Sequence, residues 1–132
     1  MTTPQIFHCL HYDDADRAIN FLLTLGFTEV LTVRNSTDAS VIDHAELRWR
    51  DHGGVMLGTR RHGGRTDSQS AVPAVCYVVV PTDADVDATY ARATGADGSS
   101  VEPPADRSFG GRMATIADPE GNLWSFGSYP GV

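Results

Sequence analysis

Along the chain, apolar and polar positions alternate with two different periods, and the order of those periods occurs twice. Ile6 to Tyr12 is a short, partly apolar run that reads as a strand. Ala18, Phe21, Leu22 and Leu25 then recur at helical spacing, behind Asp14, whose carboxylate suits an N-cap. Gly26 is placed to end that helix in a left-handed conformation. Phe27 to Val33 is rich in β-branched residues and reads as a second strand, followed by a polar loop over Asn35 to Ser40. His44 to Trp49 alternates polar and apolar, as a half-buried strand does, and forms a hairpin with Val55 to Thr59 across Asp51-His52-Gly53-Gly54.

Arg60 to Val72 holds glycine, serine and charge with few apolar side chains, which predicts a mobile linker over about residues 61–72. The order then restarts. Val75 to Val80 reads as a strand apolar enough to be buried on both faces. Asp83 to Thr94 reads as a helix packing through Val86, Tyr90, Ala91 and Ala93. Asp97 to Glu102 is a weaker strand, ended by Pro103-Pro104. Arg112 to Ala117 and Asn122 to Gly127 form a hairpin around Asp118-Pro119-Glu120-Gly121, which has proline and glycine where a reverse turn favours them. The pattern is βαβββ, twice. Asp14 and Asp83, Phe21 and Tyr90, Gly26 and Gly95, and Gly58 and Gly127 are each 69 residues apart. Two copies make a duplicated module, not a solenoid. Such halves bury a core by packing together and often leave a cleft for a small ligand.

With 132 residues, 41% hydrophobic and 20% charged, the chain has the makings of one globular domain. It has no long apolar run, and its first residues lack the basic and apolar segments of a signal peptide, so a cytoplasmic location is expected. Cys9 and Cys76, the two cysteines, are then reduced thiols. A net charge of −7 repels nucleic acid and leaves room for a neutral or cationic small molecule.

Asp14-Ala15-Asp16-Arg17-Ala18-Ile19-Asn20-Phe21, Leu25-Gly26-Phe27, Phe109-Gly110-Gly111-Arg112 and Asp118-Pro119-Glu120-Gly121-Asn122-Leu123-Trp124, run on as Ser125-Phe126-Gly127, resemble the vicinal oxygen chelate superfamily. That group holds glyoxalase I, extradiol dioxygenases, fosfomycin-modifying enzymes and bleomycin-binding resistance proteins. The chain looks like a glyoxalase-like branch near the PhnB-type proteins. The resemblance spans nearly the whole chain. It implies an α+β fold in which residues 1–132 form one glyoxalase-like domain, module one over about 1–60 and module two over about 73–132, with curved mixed sheets around a cavity. A homodimer is the common assembly.

The resemblance also implies where a divalent metal would be held: first-strand and last-strand positions that fall here on Phe7, Met56, Cys76 (or Val75, if the loop before the second helix carries an extra residue) and Ser125. Phenylalanine cannot coordinate, methionine is a soft donor and serine a weak one, whereas a catalytic metal needs about three protein ligands. No metal or other cofactor is therefore expected, and no catalytic residue is assigned. The expected activity is binding and sequestration of a small molecule, possibly aromatic, in a cavity lined by Phe7, His11, Met56, Cys76 and Ser125. The alternative is a lyase or dioxygenase whose displaced metal is held by His8, His11, His44, Glu46 and Cys76.

The remaining residues carry two readings each. His11 shares parity with Phe7 and Cys9, so it faces the cavity or stands at the strand rim; His8 points the other way. His44 and Glu46 share a face, either touching a ligand jointly or forming a solvated surface, and His52 and His62 read as solvated. Arg112 is either a clamp for an anionic group or a structural partner of Asp118 or Asp106. Trp49 and Phe109 are the candidates for stacking on a ligand ring, while Trp124 and Phe126 read as core. Cys76 is more readily an inert buried thiol than a nucleophile.

Overall fold

The computed structural model describes Pro4, residues 6–60 and residues 75–131. The chain divides into two compact units, Met1–Pro73 and Ala74–Val132. The linker expected over residues 61–72, and His62 within it, lie outside the described residues.

The first unit runs β1 (His8–Tyr12), α1 (Ala15–Leu25), β2 (Thr28–Arg34), β3 (Ile42–Trp49) and β4 (Gly53–Thr59). Its sheet order is β1-β4-β3-β2, with β1 parallel to β4 and the other pairs antiparallel. The second unit runs β5 (Val75–Val79), α2 (Asp83–Gly95), β6 (Ser99–Asp106), β7 (Arg112–Ala117) and β8 (Leu123–Gly127). Its order is β5-β8-β7-β6, again with the first strand parallel to the last. The expected α+β architecture, two βαβββ modules each with a mixed sheet, is what the chain forms. No helix among the described residues is long and apolar enough to cross a membrane.

One face of each sheet is covered by its own helix. In module one, Ala18, Phe21, Leu22 and Leu25 of α1 are buried, as are Leu10, Tyr12, Ala45, Leu47, Val55 and Leu57 of the sheet. Asp14 caps α1 by accepting the Arg17 N–H at 3.0 Å. Gly26 sits at φ 124°, which a side chain would strain, and donates its N–H to the Leu22 and Leu23 carbonyls. Phe27 and Trp49 close this core, their rings 5.0 Å apart.

Module two buries Val86, Thr89 and Ala93 of α2, with Val78, Val80, Ala114, Ile116, Trp124 and Phe126. Tyr90 is only half-buried and donates its hydroxyl hydrogen to Ser100 Oγ at 2.7 Å, while Ala91 is exposed. Asp118 is buried and accepts from the Glu120 and Asn122 N–H groups and from the Trp124 indole at 3.1 Å, tying the turn to the core.

Two expectations change. β5 is an edge strand with Val75 and Tyr77 exposed, so it is not buried on both faces. Pro103-Pro104 does not end β6, because this strand is also an edge, where a missing N–H is tolerated, and its register shifts between Glu102 and Ala105. The helix α2 starts at Asp83 as expected, and Thr82 caps it: the Thr82 hydroxyl accepts the Asp85 N–H and the Asp85 carboxylate accepts the Thr82 N–H, a capping box. The two caps, Asp14 and Thr82, are 68 residues apart, so the repeat slips by one residue ahead of the second helix.

Candidate functional site

Strand alternation assigns each side chain to the helix-covered face or to the face turned away from the helix. In β1, Leu10 and Tyr12 lie under α1, which turns Phe7, Cys9 and His11 to the other face. Pairing of β1 with β4 sets Cys9 beside Met56 and His11 beside Gly58, and pairing of β4 with β3 sets Glu46 on the far side of Met56. His44 follows on β3, its Nε2 2.8 Å from Glu46 Oε2. The carboxylate thereby fixes one ring nitrogen and leaves Nδ1 free of that constraint.

Gly58 has no side chain between its neighbours, and here the sheet carries an open depression of about 270 Å³ whose lining includes Cys9, His11, Asp43, His44, Met56 and Thr59. At the other end of the same strands Phe7 lies flat over Gly54. A Cβ there would meet ring atoms at 2.6 and 2.8 Å, and the Arg48 guanidinium stands over the ring at 5.9 Å. Arg60 donates to the His11 carbonyl at 3.2 Å and pairs with Asp13 at 2.8 Å.

The corresponding face of module two is different. Tyr77 stands beside Ser125, as Cys9 stands beside Met56, and Val79 stands beside Gly127, as His11 stands beside Gly58. The Tyr77 ring lies over Gly127, with Cε1 and Cζ 2.6 Å from where a Cβ would be, and its hydroxyl donates to the Tyr129 carbonyl at 2.8 Å. Burial raises the Tyr77 phenol above its usual range. Ser125 and Thr115 share a hydroxyl hydrogen bond of 2.7 Å. Where module one leaves a depression over Gly58, module two has a tyrosine ring over the repeat-related glycine.

Phe7, His11, Met56 and Ser125 thus fall on the helix-free faces of their sheets. Cys76 does not: it pairs with fully buried Trp124 on the face under α2, where burial raises its thiol. The slip of one residue is the reason, and it puts Val75 and Tyr77 on the face expected for Cys76. His8 is the counterpart of Cys76, on the helix-covered face beside Val55, with its imidazole pushed down by burial.

Trp49 packs on Phe27 under α1 and offers no surface to the depression. Arg112 is bound by Asp87 of α2 at 3.0 Å and Asp106 at 3.2 Å, on the helix side of its sheet, so it is a structural cation and not a clamp on that face. These two carboxylates hold its guanidinium above its ordinary range. Phe109 is exposed in the loop before β7, edge-on to Tyr129 at 5.3 Å. Cys9 was not assigned to a site from the sequence, and Gly58 was read only as a repeat position. Cys9 shares parity with Phe7 and His11, and that was the available signal.

These residues do not fit the divalent metal expected of the fold. Of its positions, Phe7 is engaged with Gly54, Met56 is a thioether, Cys76 is turned under the helix and Ser125 is bonded to Thr115. The displaced set fails too, since His8 and Cys76 lie on helix-covered faces. Among the described residues no three His, Cys, Asp or Glu side chains are grouped to hold a metal ion.

Fold, face and turn together define a protein of the glyoxalase type, and comparison bears this out. The chain belongs to the Glyoxalase/Bleomycin resistance protein/Dioxygenase superfamily, which it matches over residues 5–126. It is 31% identical over 127 residues to the uncharacterised protein Mb0911c of Mycobacterium bovis, covering 94% of this chain and 82% of that one. Among solved structures it resembles TioX from Micromonospora sp. ML1, with 30% identity, a TM-score of 0.69 and coverage of 93% and 94% of the two chains. It also shares its fold with a PhnB protein from Bacillus cereus, at 19% identity, a TM-score of 0.66 and coverage of 93% and 98%.

Proposed function

We propose that this protein binds and sequesters a small neutral or cationic molecule without a divalent metal, acting as a homodimer in the cytoplasm. The observation that carries this reading is the depression over Gly58, with sulfur, imidazole and carboxylate around it. A volume near 270 Å³ suits a ligand of two or three fused rings. Met56 and Cys9 offer polarizable surface, and Glu46 with Asp43 biases the rim toward positive charge. The net charge of −7 acts in the same direction.

The test is titration of metal-stripped protein with proflavine (cationic), naphthol (neutral) and naphthalenesulfonate (anionic), followed through the histidine ring and methionine methyl NMR signals. The reading expects proflavine or naphthol to shift His11, His44 and Met56, with naphthalenesulfonate weakest. Binding of all three only after a divalent metal is added, or binding that leaves these residues unmoved, overturns it.

A further inference from the structure

The depression holds a donor set that suits a different class of ion from the one its fold family implies. Cys9 and Met56 are partners in neighbouring parallel strands, which lie about 4.8 Å apart, and both side chains project from one face. Two sulfurs so placed can share one ion at metal–sulfur distances of about 2.3 Å. Two residues along β1, His11 opens on the same depression and adds an imidazole nitrogen. Cys9 is exposed, so its sulfur is open to an ion arriving from solvent. Thiolate and thioether select soft ions such as Cu(I) and reject Mg(II) or Mn(II).

We propose that Cys9, Met56 and His11 form a binding site for a single soft monovalent cation, Cu(I) or Ag(I). Binding exchanges the Cys9 thiol proton for a sulfur–metal bond and releases that proton to solvent. The metal keeps its oxidation state, so no electron donor or acceptor is involved. The module-two counterparts of these three residues are Tyr77, Ser125 and Val79, which supply no soft donor, so the stoichiometry is one ion per chain. The proposal does not rest on the sequestration reading, since a soft ion can bind whether or not an organic ligand does.

The experiment is an anaerobic titration of the reduced full-length chain with Cu(I), in competition with a chromophoric Cu(I) chelator, on the wild type and on Cys9→Ser, Met56→Leu and Cys76→Ser. Circular dichroism checks that each variant is folded. One equivalent is expected in the wild type and in Cys76→Ser, with none retained by Cys9→Ser. Met56→Leu should weaken binding by at least about tenfold, a loss that even a group acting through a ligand commonly produces. Unchanged affinity in Cys9→Ser, loss in Cys76→Ser, or equal affinity for Mn(II) and Cu(I) overturns the proposal. Should Cys9→Ser fail to fold, His11→Gln and Met56→Leu serve instead: affinity unchanged in both overturns it, and weakening in either supports it. Proflavine binding with no Cu(I) binding would sink this site and leave the sequestration reading standing.

Discussion

Gly58 and Gly127 hold the same place in the two modules, at the end of the last strand and beside the first. The difference between their surroundings shows how two copies of one fold come to differ at equivalent places. Over Gly127 the Tyr77 ring fills the space that the missing side chain leaves, fixed by its hydrogen bond to Tyr129. At Gly58 the equivalent first-strand residue is Cys9, too short to reach across it, and a depression remains beside it. Module one's aromatic instead lies at the far end, where Phe7 covers Gly54. One side-chain choice on β1 and β5 thus separates a module with an open depression at this place from one in which a ring covers it.

The comparison breaks most severely in module two's core. Trp124→Ala removes the largest fully buried side chain and a hydrogen-bond partner of Asp118, and is expected to cost about 3–5 kcal/mol in urea unfolding. Trp124→Phe keeps much of the packing but deprives Asp118 of the indole N–H, for about 1–3 kcal/mol.

Next come the two glycines. Gly127→Ala places a methyl group into the Tyr77 ring and should cost about 1–3 kcal/mol. Gly58→Ala meets the Ile42 and Asp43 carbonyls at 3.2 and 3.3 Å, a tight but smaller conflict, and should cost less. Equal losses in the two variants would mean that Tyr77 does not hold its place. Tyr77→Phe, which keeps the ring and loses the hydrogen bond, should cost about 1 kcal/mol by the same unfolding measurement.

The smallest effect is on pH dependence, where the modules answer at opposite ends. His8 and Cys76 occupy equivalent helix-covered positions, and burial favours the neutral form of each. For His8 the folded pKa is lowered, so the unfolded chain binds more protons, and stability falls as pH drops below about 6.5. For Cys76 the folded pKa is raised, so the folded chain keeps its proton longer, and stability falls as pH rises above about 9.0. In unfolding titrations across pH, His8→Gln should flatten the acid limb alone and Cys76→Ser the alkaline limb alone.

Element order and the division of residues between faces were legible because period-2 and period-3.6 patterns are local. The slip that turned Cys76 under the helix was open in the sequence only as the Val75 alternative, although Thr82 and Asp85 stand at the spacing of a capping box. A single residue reverses a strand's faces, so that choice decides which side chain reaches the helix-free face. Trp49 read as a ligand contact from residue type, and Arg112 as either a ligand clamp or a partner of Asp118 or Asp106, the last of which it is. Their partners, Asp87 and Phe27, are brought to them by tertiary packing, which no local pattern encodes. The cover over Gly127 depends on the rotamer of Tyr77 and was equally invisible.

Cys9→Tyr tests the central claim most directly, because it gives module one the residue that fills the equivalent place in module two. Proflavine binding to metal-stripped protein should be lost while the unfolding midpoint stays close to that of the wild type. Unchanged proflavine affinity in a folded Cys9→Tyr protein would contradict the account and place ligand binding elsewhere.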